Sequence, residues 1–247
     1  MTTFTKNLSI NTRPLSTHER MKTVINITRS STASFNYFLL VLLAAAISTF
    51  GLLTNSAAVV IGSMLIAPLL PPILGIGLGT ATGESRLVGR SFLTLTLGMG
   101  LAIGLAAIIT VINRFMPFVD MQTLPAEVMA RTQPSLLELG IALAGGLAVA
   151  HAYTRPNLSS VIYGAAIATA LMPPLATIGI GLALLRWDVI SGATLLFVTN
   201  ALTISSASGM VFIARGFAGE INSRRNRVFR RLLTLVLPLL AVFIFLS

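Results

Sequence analysis

Asn55-Ser-Ala-Ala-Val-Val-Ile-Gly-Ser-Met-Leu-Ile-Ala-Pro-Leu-Leu-Pro-Pro-Ile-Leu-Gly-Ile-Gly-Leu-Gly79 decides the fold, because the chain carries a version of it twice. A shift of 102 residues lays Asn157–Gly181 on it without a gap. Asn55 meets Asn157, Gly62 meets Gly164, Pro71-Pro72 meet Pro173-Pro174, and Gly77 and Gly79 meet Gly179 and Gly181. Over residues 55–82 and 157–184, 10 of 28 positions are identical, which identifies a repeat and not two unrelated apolar runs. Both copies are apolar enough for a bilayer and carry a proline pair near the middle. A duplicated, proline-interrupted membrane segment is a recognised pointer to a transport site.

The composition puts the repeat in a membrane. Mean hydropathy is +0.89 and only 10% of the 247 residues are charged, against about a quarter in soluble domains. Apolar runs lie around 35–53, 55–82, 87–112, 135–153, 157–184, 188–213 and 231–247. Most approach the roughly 20 residues that a crossing needs. The last run is short and contains Pro238.

Each half reads as helix, broken helix, helix. Three crossings is an odd number, so the second half enters from the opposite face. The expected fold is an all-α membrane protein of two three-helix inverted repeats, each with a proline-broken second helix, plus a seventh, C-terminal helix. The expected boundaries are a basic tail at 1–34, repeats at 35–112 and 135–214, a connecting loop at 113–134, and a basic linker with the last helix at 215–247. The tail is polar and basic, without the compact apolar stretch of a cleaved leader. Thr17 could cap a short interfacial helix with Met21, Val24, Ile25 and Thr28 on one side; a disordered lead-in is the other reading.

The net charge of +10 does not indicate nucleic acid. Its basic residues sit in the tail and in short loops, where they set orientation. With a cytoplasmic N-terminus and seven crossings, 14 Lys and Arg fall inside and three outside. A rival topology, with both broken segments re-entrant, gives 13 and four. Both place the N-terminus inside, in an inner (plasma) membrane. Full crossing is preferred, because 26 to 28 residues fit one interrupted span. Trp187, Tyr153 and Tyr37 fall near span ends, where aromatic rings gather.

The candidate solute pathway comprises Ala67, Pro68, Pro71, Pro72 and Gly75 in the first copy and Thr169, Pro173, Pro174 and Thr177 in the second, with Asn200 in the sixth run. Proline donates no hydrogen bond and clashes with the preceding turn, but suits the first turn of a helix. The breaks should therefore free carbonyls of Ile66, Ala67, Leu69 and Leu70, and amides of Ile73, Leu74 and Gly75, with equivalents in the second copy. Hydrocarbon satisfies none of these. Half-helix starts favour anions and half-helix ends suit cations. The alternative is that the prolines only kink helices for packing. Gly75, Gly77, Gly79, Gly179 and Gly181 read as close helix contacts. Asn55 and Asn157 read first as helix N-caps. Asn200, mid-span, either bonds another helix or lines the pathway.

Catalytic chemistry is poorly supplied. There is no Cys, there are two His, and no carboxylate lies deep in a span. Glu138 and His151 fall near opposite ends of the fourth helix. Ser205, Ser206 and Ser208 have no base in the pattern and read as small packing residues. No enzyme activity, metal or cofactor is expected.

The opening NSxxVxIGxMxxxP of the first copy resembles an uncharacterised hydrophobic domain family of bacteria and archaea (domain of unknown function 389). The likeness continues through residues 86–98, 130–148, 156–184 and 195–204, and covers about 15–214. It implies a multi-pass membrane domain and supplies no assigned residues. The function expected is a small transporter or channel for an ion or small solute, with small anions or neutral polar solutes as first candidates. Its partners would be the bilayer, the solute and further copies in a homo-oligomer. A non-transporting membrane scaffold is the alternative.

Overall fold

In a computed structural model, which describes residues 15–115, 123–155 and 171–217, every regular element among those residues is helical. The elements are α1 (Thr17–Ser30), α2 (Phe35–Leu53), α3 (Ala57–Met64), α4 (Leu70–Thr82), α5 (Ser85–Phe115), α6 (Ala126–Met129), α7 (Leu136–Tyr153), α8 (Met172–Leu184) and α9 (Trp187–Ala214). The expected C-terminal helix, Asn157 and Thr169 lie outside the described residues.

Local chemistry accounts for most ends. Ser16 and Glu19 form a reciprocal capping box at α1, and Ser135 and Glu138 form another at α7. Ser34 accepts from the Tyr37 amide at the start of α2. Gly83, at φ 79, ends α4, and Leu185, at φ 54, ends α8 in the same left-handed conformation. Asn55 does not cap α3. Ser56 holds that position, without a side-chain bond, while Asn55 adopts φ 53 and its carbonyl oxygen accepts from the Glu127 amide.

Helices α2, α5, α7 and α9 are long and apolar enough to cross a membrane, and α4 and α8 are shorter apolar helices. Along α5, the uncharged stretch between Arg90 and Arg114 covers roughly 35 Å at 1.5 Å per residue, against a hydrocarbon core of about 30 Å.

Long-range bonds define two ends. At the first, Arg20 Nη1 donates to Gly216 O (2.9 Å), Thr23 to Tyr153 O (3.2 Å), and Tyr37 to Thr94 O (2.9 Å). Here lie the starts of α2 and α5 and the finishes of α7 and α9. At the second, Leu52, Leu53, Val60 and Met64 pack with Val128, Ala176, Ile180 and Val189. Here lie the finish of α2, the starts of α3 and α9, and α6. The larger core cluster fills the space between, centred on α4, α8 and α9.

Helix α1 is capped by Ser16 and not by Thr17. Its Met21 and Ile25 are 60% and 57% exposed, which leaves the side expected at the interface uncovered, while Thr23 and Ile27 are buried and Arg20 and Thr23 reach main-chain carbonyls at the ends of α9 and α7. Tyr37 is not an interfacial ring. It is buried, with its hydroxyl spent on Thr94 O, whereas Trp187 is exposed at the start of α9. Tyr37→Phe leaves the Thr94 carbonyl within its own helix ladder, so it should cost only about 1 kcal/mol. Thermal unfolding would register this as a loss of roughly 2 to 4 °C.

Candidate functional site

Between α3 and α4 the i→i−4 ladder lapses over residues 65–69, although Leu65 and Leu69 keep right-handed helical dihedrals. Ala67 sits at φ 33, an uncommon value for a residue with a Cβ. Pro71 and Pro72 then occupy the first turn of α4, as Pro173 and Pro174 occupy that of α8. The helix begins just ahead of each pair, with Leu69 and Leu171 as N-caps. This alters the expected set of freed groups: the Ile73 amide donates to Leu69 O (3.4 Å) and the Leu70 amide to Ala67 O (3.3 Å), so the Ile73 amide and the Ala67 and Leu69 carbonyls are not left over. The Pro71 carbonyl takes the Ser31 hydroxyl at 2.7 Å. Ser31 thus reaches the interruption from the turn after α1, a contact between residues 40 apart that no local pattern signals.

The two helix starts meet. Ala67, Pro68, Leu69 and Leu70 line a small cavity with Leu171 and Met172, with room for about one water molecule. Leu69 and Leu171, and Leu70 and Met172, are pairs related by the 102-residue shift.

The same shift governs packing. A Cβ on Gly77 would meet Ser205 O, Ser208 Oγ and Gly209 N of α9. A Cβ on Gly179 would meet Ile103 O, Ala106 Cβ and Ala107 N of α5. Each residue of the second set is 102 removed from its counterpart in the first, in the crossed sense: α4 touches α9 as α8 touches α5. The two sets of contacts are thus reciprocal. The exits match too, since Glu84 N donates to Gly79 O and Arg186 N to Gly181 O, both at 2.9 Å. The glycines are therefore close-contact positions inside the chain. Gly75 faces Ser31 and Ser91, with no room for a larger residue.

Of the remaining candidates, Thr177 is fully buried in α8 and its hydroxyl has no partner. Asn200 is buried mid-way along α9, beside Thr199, whose hydroxyl donates to Leu195 O and Leu196 O of its own helix. Thr203, Ser205 and Ser206 are buried with unpartnered hydroxyls, as are Ser48 in α2 and Ser91 in α5. Of the three α9 serines read as packing residues, only Ser208 bonds its own helix, at Ser205 O. The periodicity of α9 gives no hint of this, because the helix is buried almost all round and shows no polar face. Glu138 is used in the α7 cap, and His151 at the other end of that helix lies 2.9 Å from Arg215. No cluster that could hold a metal occurs among the described residues.

A bundle of long apolar helices, wrapped round buried hydroxyls, defines a multi-span all-α membrane protein. It belongs to the family described as Domain of unknown function (DUF389), which matches residues 64–206. An uncharacterized protein of Methanocaldococcus jannaschii is 27% identical over 181 residues, or 73% of this chain. The chain spans 54% of that relative's length. No solved structure matches.

Proposed function

We propose that the chain is a small transporter or channel for an ion or small solute, with the solute passing the cavity where α4 and α8 begin. The observation that carries this reading is the interrupted joint at 65–69, which holds main-chain polar groups beside the start of a second proline-led helix. Within a bilayer such groups persist only against protein, water or a ligand. The residues concerned are Ala67, Pro68, Pro71, Pro72, Pro173 and Pro174, flanked by Gly75, Thr177 and Asn200; Thr169 is included from the repeat alone.

The repeats are inverted in this reading, about an axis in the membrane plane that passes near Leu69 and Leu171. In support, α2 and α5 start at the end where α7 and α9 finish, and the glycine contacts are crossed. The segment 57–82 is a full crossing, since α3 starts beside the finish of α2 and α4 leads into the start of α5. The α1 end faces the cytoplasm, across an inner membrane. Among the described residues it carries Arg20, Lys22, Arg29, Arg86, Arg90, Arg155 and Arg215, against Arg114, Arg131 and Arg186 at the other. Homo-oligomerisation does not use Gly77, Gly79, Gly179 or Gly181, which are occupied within the chain. Gly100 and Gly104 are the small pair with open space around them, and we assign the copy-to-copy contact to that face.

The scaffold reading retains one observation, the small volume of the cavity. Labelling separates the two. Ala67→Cys in this Cys-free chain should react with a membrane-impermeant thiol reagent, at rates that a permeating solute changes. Gly75→Cys is unsuitable because of Ser31 and Ser91. Complete protection of Ala67→Cys from both faces, under all solutes, would overturn transport in favour of the scaffold.

A further inference from the structure

Helix α1 lies across one end of the bundle, and its contacts fix its level. Arg20 and Thr23 hold main-chain oxygens at the finishes of α9 and α7, Gly216 O and Tyr153 O. The turn after α1 is held at the other limit, because a Cβ on Gly75 would strike both Ser31 Oγ and Ser91 Oγ. Ser91 follows Arg90, where the uncharged stretch of α5 begins. Both ends of α1 thus stand where the spanning helices leave the hydrocarbon. Its 14 residues, roughly 21 Å at 1.5 Å per residue, therefore run along the membrane surface.

Helical spacing puts Arg20, Thr23 and Ile27 on the side that meets the bundle. It gathers Met21, Ile25, Arg29 and Lys22 within about 100° of arc on another side. Met21 and Ile25 stay largely uncovered, and Lys22 and Arg29 are exposed beside them. An apolar pair flanked by cations is the make-up of a helix in the headgroup layer. The apolar side chains dip to the acyl boundary while the charged stems reach up to the phosphates. The start of α5 adds Arg86 and Arg90, both exposed, with Phe92 exposed next to them. None of Lys22, Arg29, Arg86 and Arg90 forms an ion pair among the described residues. Of the acids on α1 and at the start of α5, Glu19 is drawn into the α1 cap by the Ser16 amide, which leaves Glu84 to oppose four cations. The surplus calls for an anionic partner at this level.

We infer that the outward side of α1, Met21, Lys22, Ile25 and Arg29, together with Arg86 and Arg90 of α5, is a docking surface for anionic phospholipid headgroups of the adjoining leaflet. The apolar pair sets the depth of the helix. The four cations select headgroups of net negative charge over zwitterionic ones. The inference needs no solute to pass and stands apart from the transport reading.

The test uses the full chain, which has no cysteine of its own. Met21→Cys and Asn26→Cys each carry an environment-sensitive fluorophore; Asn26 is also exposed but points about 140° away from Met21. The variants are placed in vesicles of phosphatidylcholine, alone or mixed with phosphatidylglycerol, with and without a nitroxide high on the acyl chain. The label at Met21→Cys should shift to the blue and be quenched in the mixed vesicles, and less so in phosphatidylcholine alone. The label at Asn26→Cys should stay water-like in both. In detergent micelles titrated with phosphatidylglycerol, the Met21→Cys signal should saturate. Adding Lys22→Gln with Arg29→Gln should raise its midpoint about 10- to 30-fold, and leave Tm in pure detergent unchanged. Equal responses to the two lipids, or a midpoint that the double substitution does not move, would overturn the selection of anionic lipid. A label at Met21→Cys as water-like and unquenched as one at Asn26→Cys would overturn the docking surface itself.

Discussion

Gly77→Ala and Gly179→Ala should each destabilise the protein by about 2 to 3 kcal/mol, at the upper end of the range for overpacking. A methyl at Gly77 would stand 2.6 Å from Ser205 O, and one at Gly179 would stand 2.5 Å from Ile103 O. Both obstacles are main chain, so no rotamer change relieves them; α4 must separate from α9, or α8 from α5. Leucine at either position should abolish the folded protein. Gly89→Ala and Gly140→Ala are the controls, since nothing lies within 4 Å of a Cβ at either. They should be neutral, or stabilising by about 0.5 to 1 kcal/mol through helix propensity. Thermal unfolding and size-exclusion behaviour of the four variants in one detergent provide the comparison. The similarity of the two costs matters more than their size, because it follows from the crossed contacts of the repeats. A costly Gly77→Ala beside a silent Gly179→Ala would mean that the reciprocal contacts are not equivalent in packing.

That relation was half legible in the chain. The bounds of α4 and α8 differ by 102 residues at both ends, as the aligned segments require, because proline pairs and glycines act locally and leave their signature in place. Their partners carry no such signature. Ile103, Ala106 and Ala107 correspond to Ser205, Ser208 and Gly209, and nothing in those residue types reveals that they receive equivalent glycines. What the two sets share is a backbone close enough for contact, and backbone proximity is not written in side-chain identity. The protein-facing side of α1 was not legible for a related reason: Arg20 and Thr23 find main-chain acceptors 196 and 130 residues away, which no local pattern announces. The interruption was legible because proline's missing donor is a property of one residue. The identity of its freed groups was not, because the start of α4 slipped ahead of the proline pair and the Ser31 hydroxyl came from outside.

The buried hydroxyls of α9 allow a test in which stability and function should move in opposite directions. Thr203, Ser205 and Ser206 are each at most 4% exposed and have no hydrogen-bond partner. An unsatisfied buried hydroxyl costs about 1 to 3 kcal/mol. A helical Ser or Thr recovers part of that by turning towards its own i−4 carbonyl. Thr203→Val with Ser205→Ala and Ser206→Ala should therefore gain roughly 2 to 3 kcal/mol in all, raising Tm by roughly 5 to 10 °C. If these groups served packing alone, the gain would come without any loss of solute response. Under the proposed function they meet water or solute in the bundle interior, at a standing cost in stability. The triple variant should then be more stable in the absence of solute and lose most of any solute-dependent Tm shift. Thr177→Val, in α8, should behave the same way on a smaller scale, with a gain of about 1 kcal/mol. A triple variant that gains stability and keeps the full solute response would place the pathway away from α9. One that loses stability in solute-free buffer would mean that these hydroxyls already bind ordered water, whose hydrogen bonds the apolar side chains cannot replace.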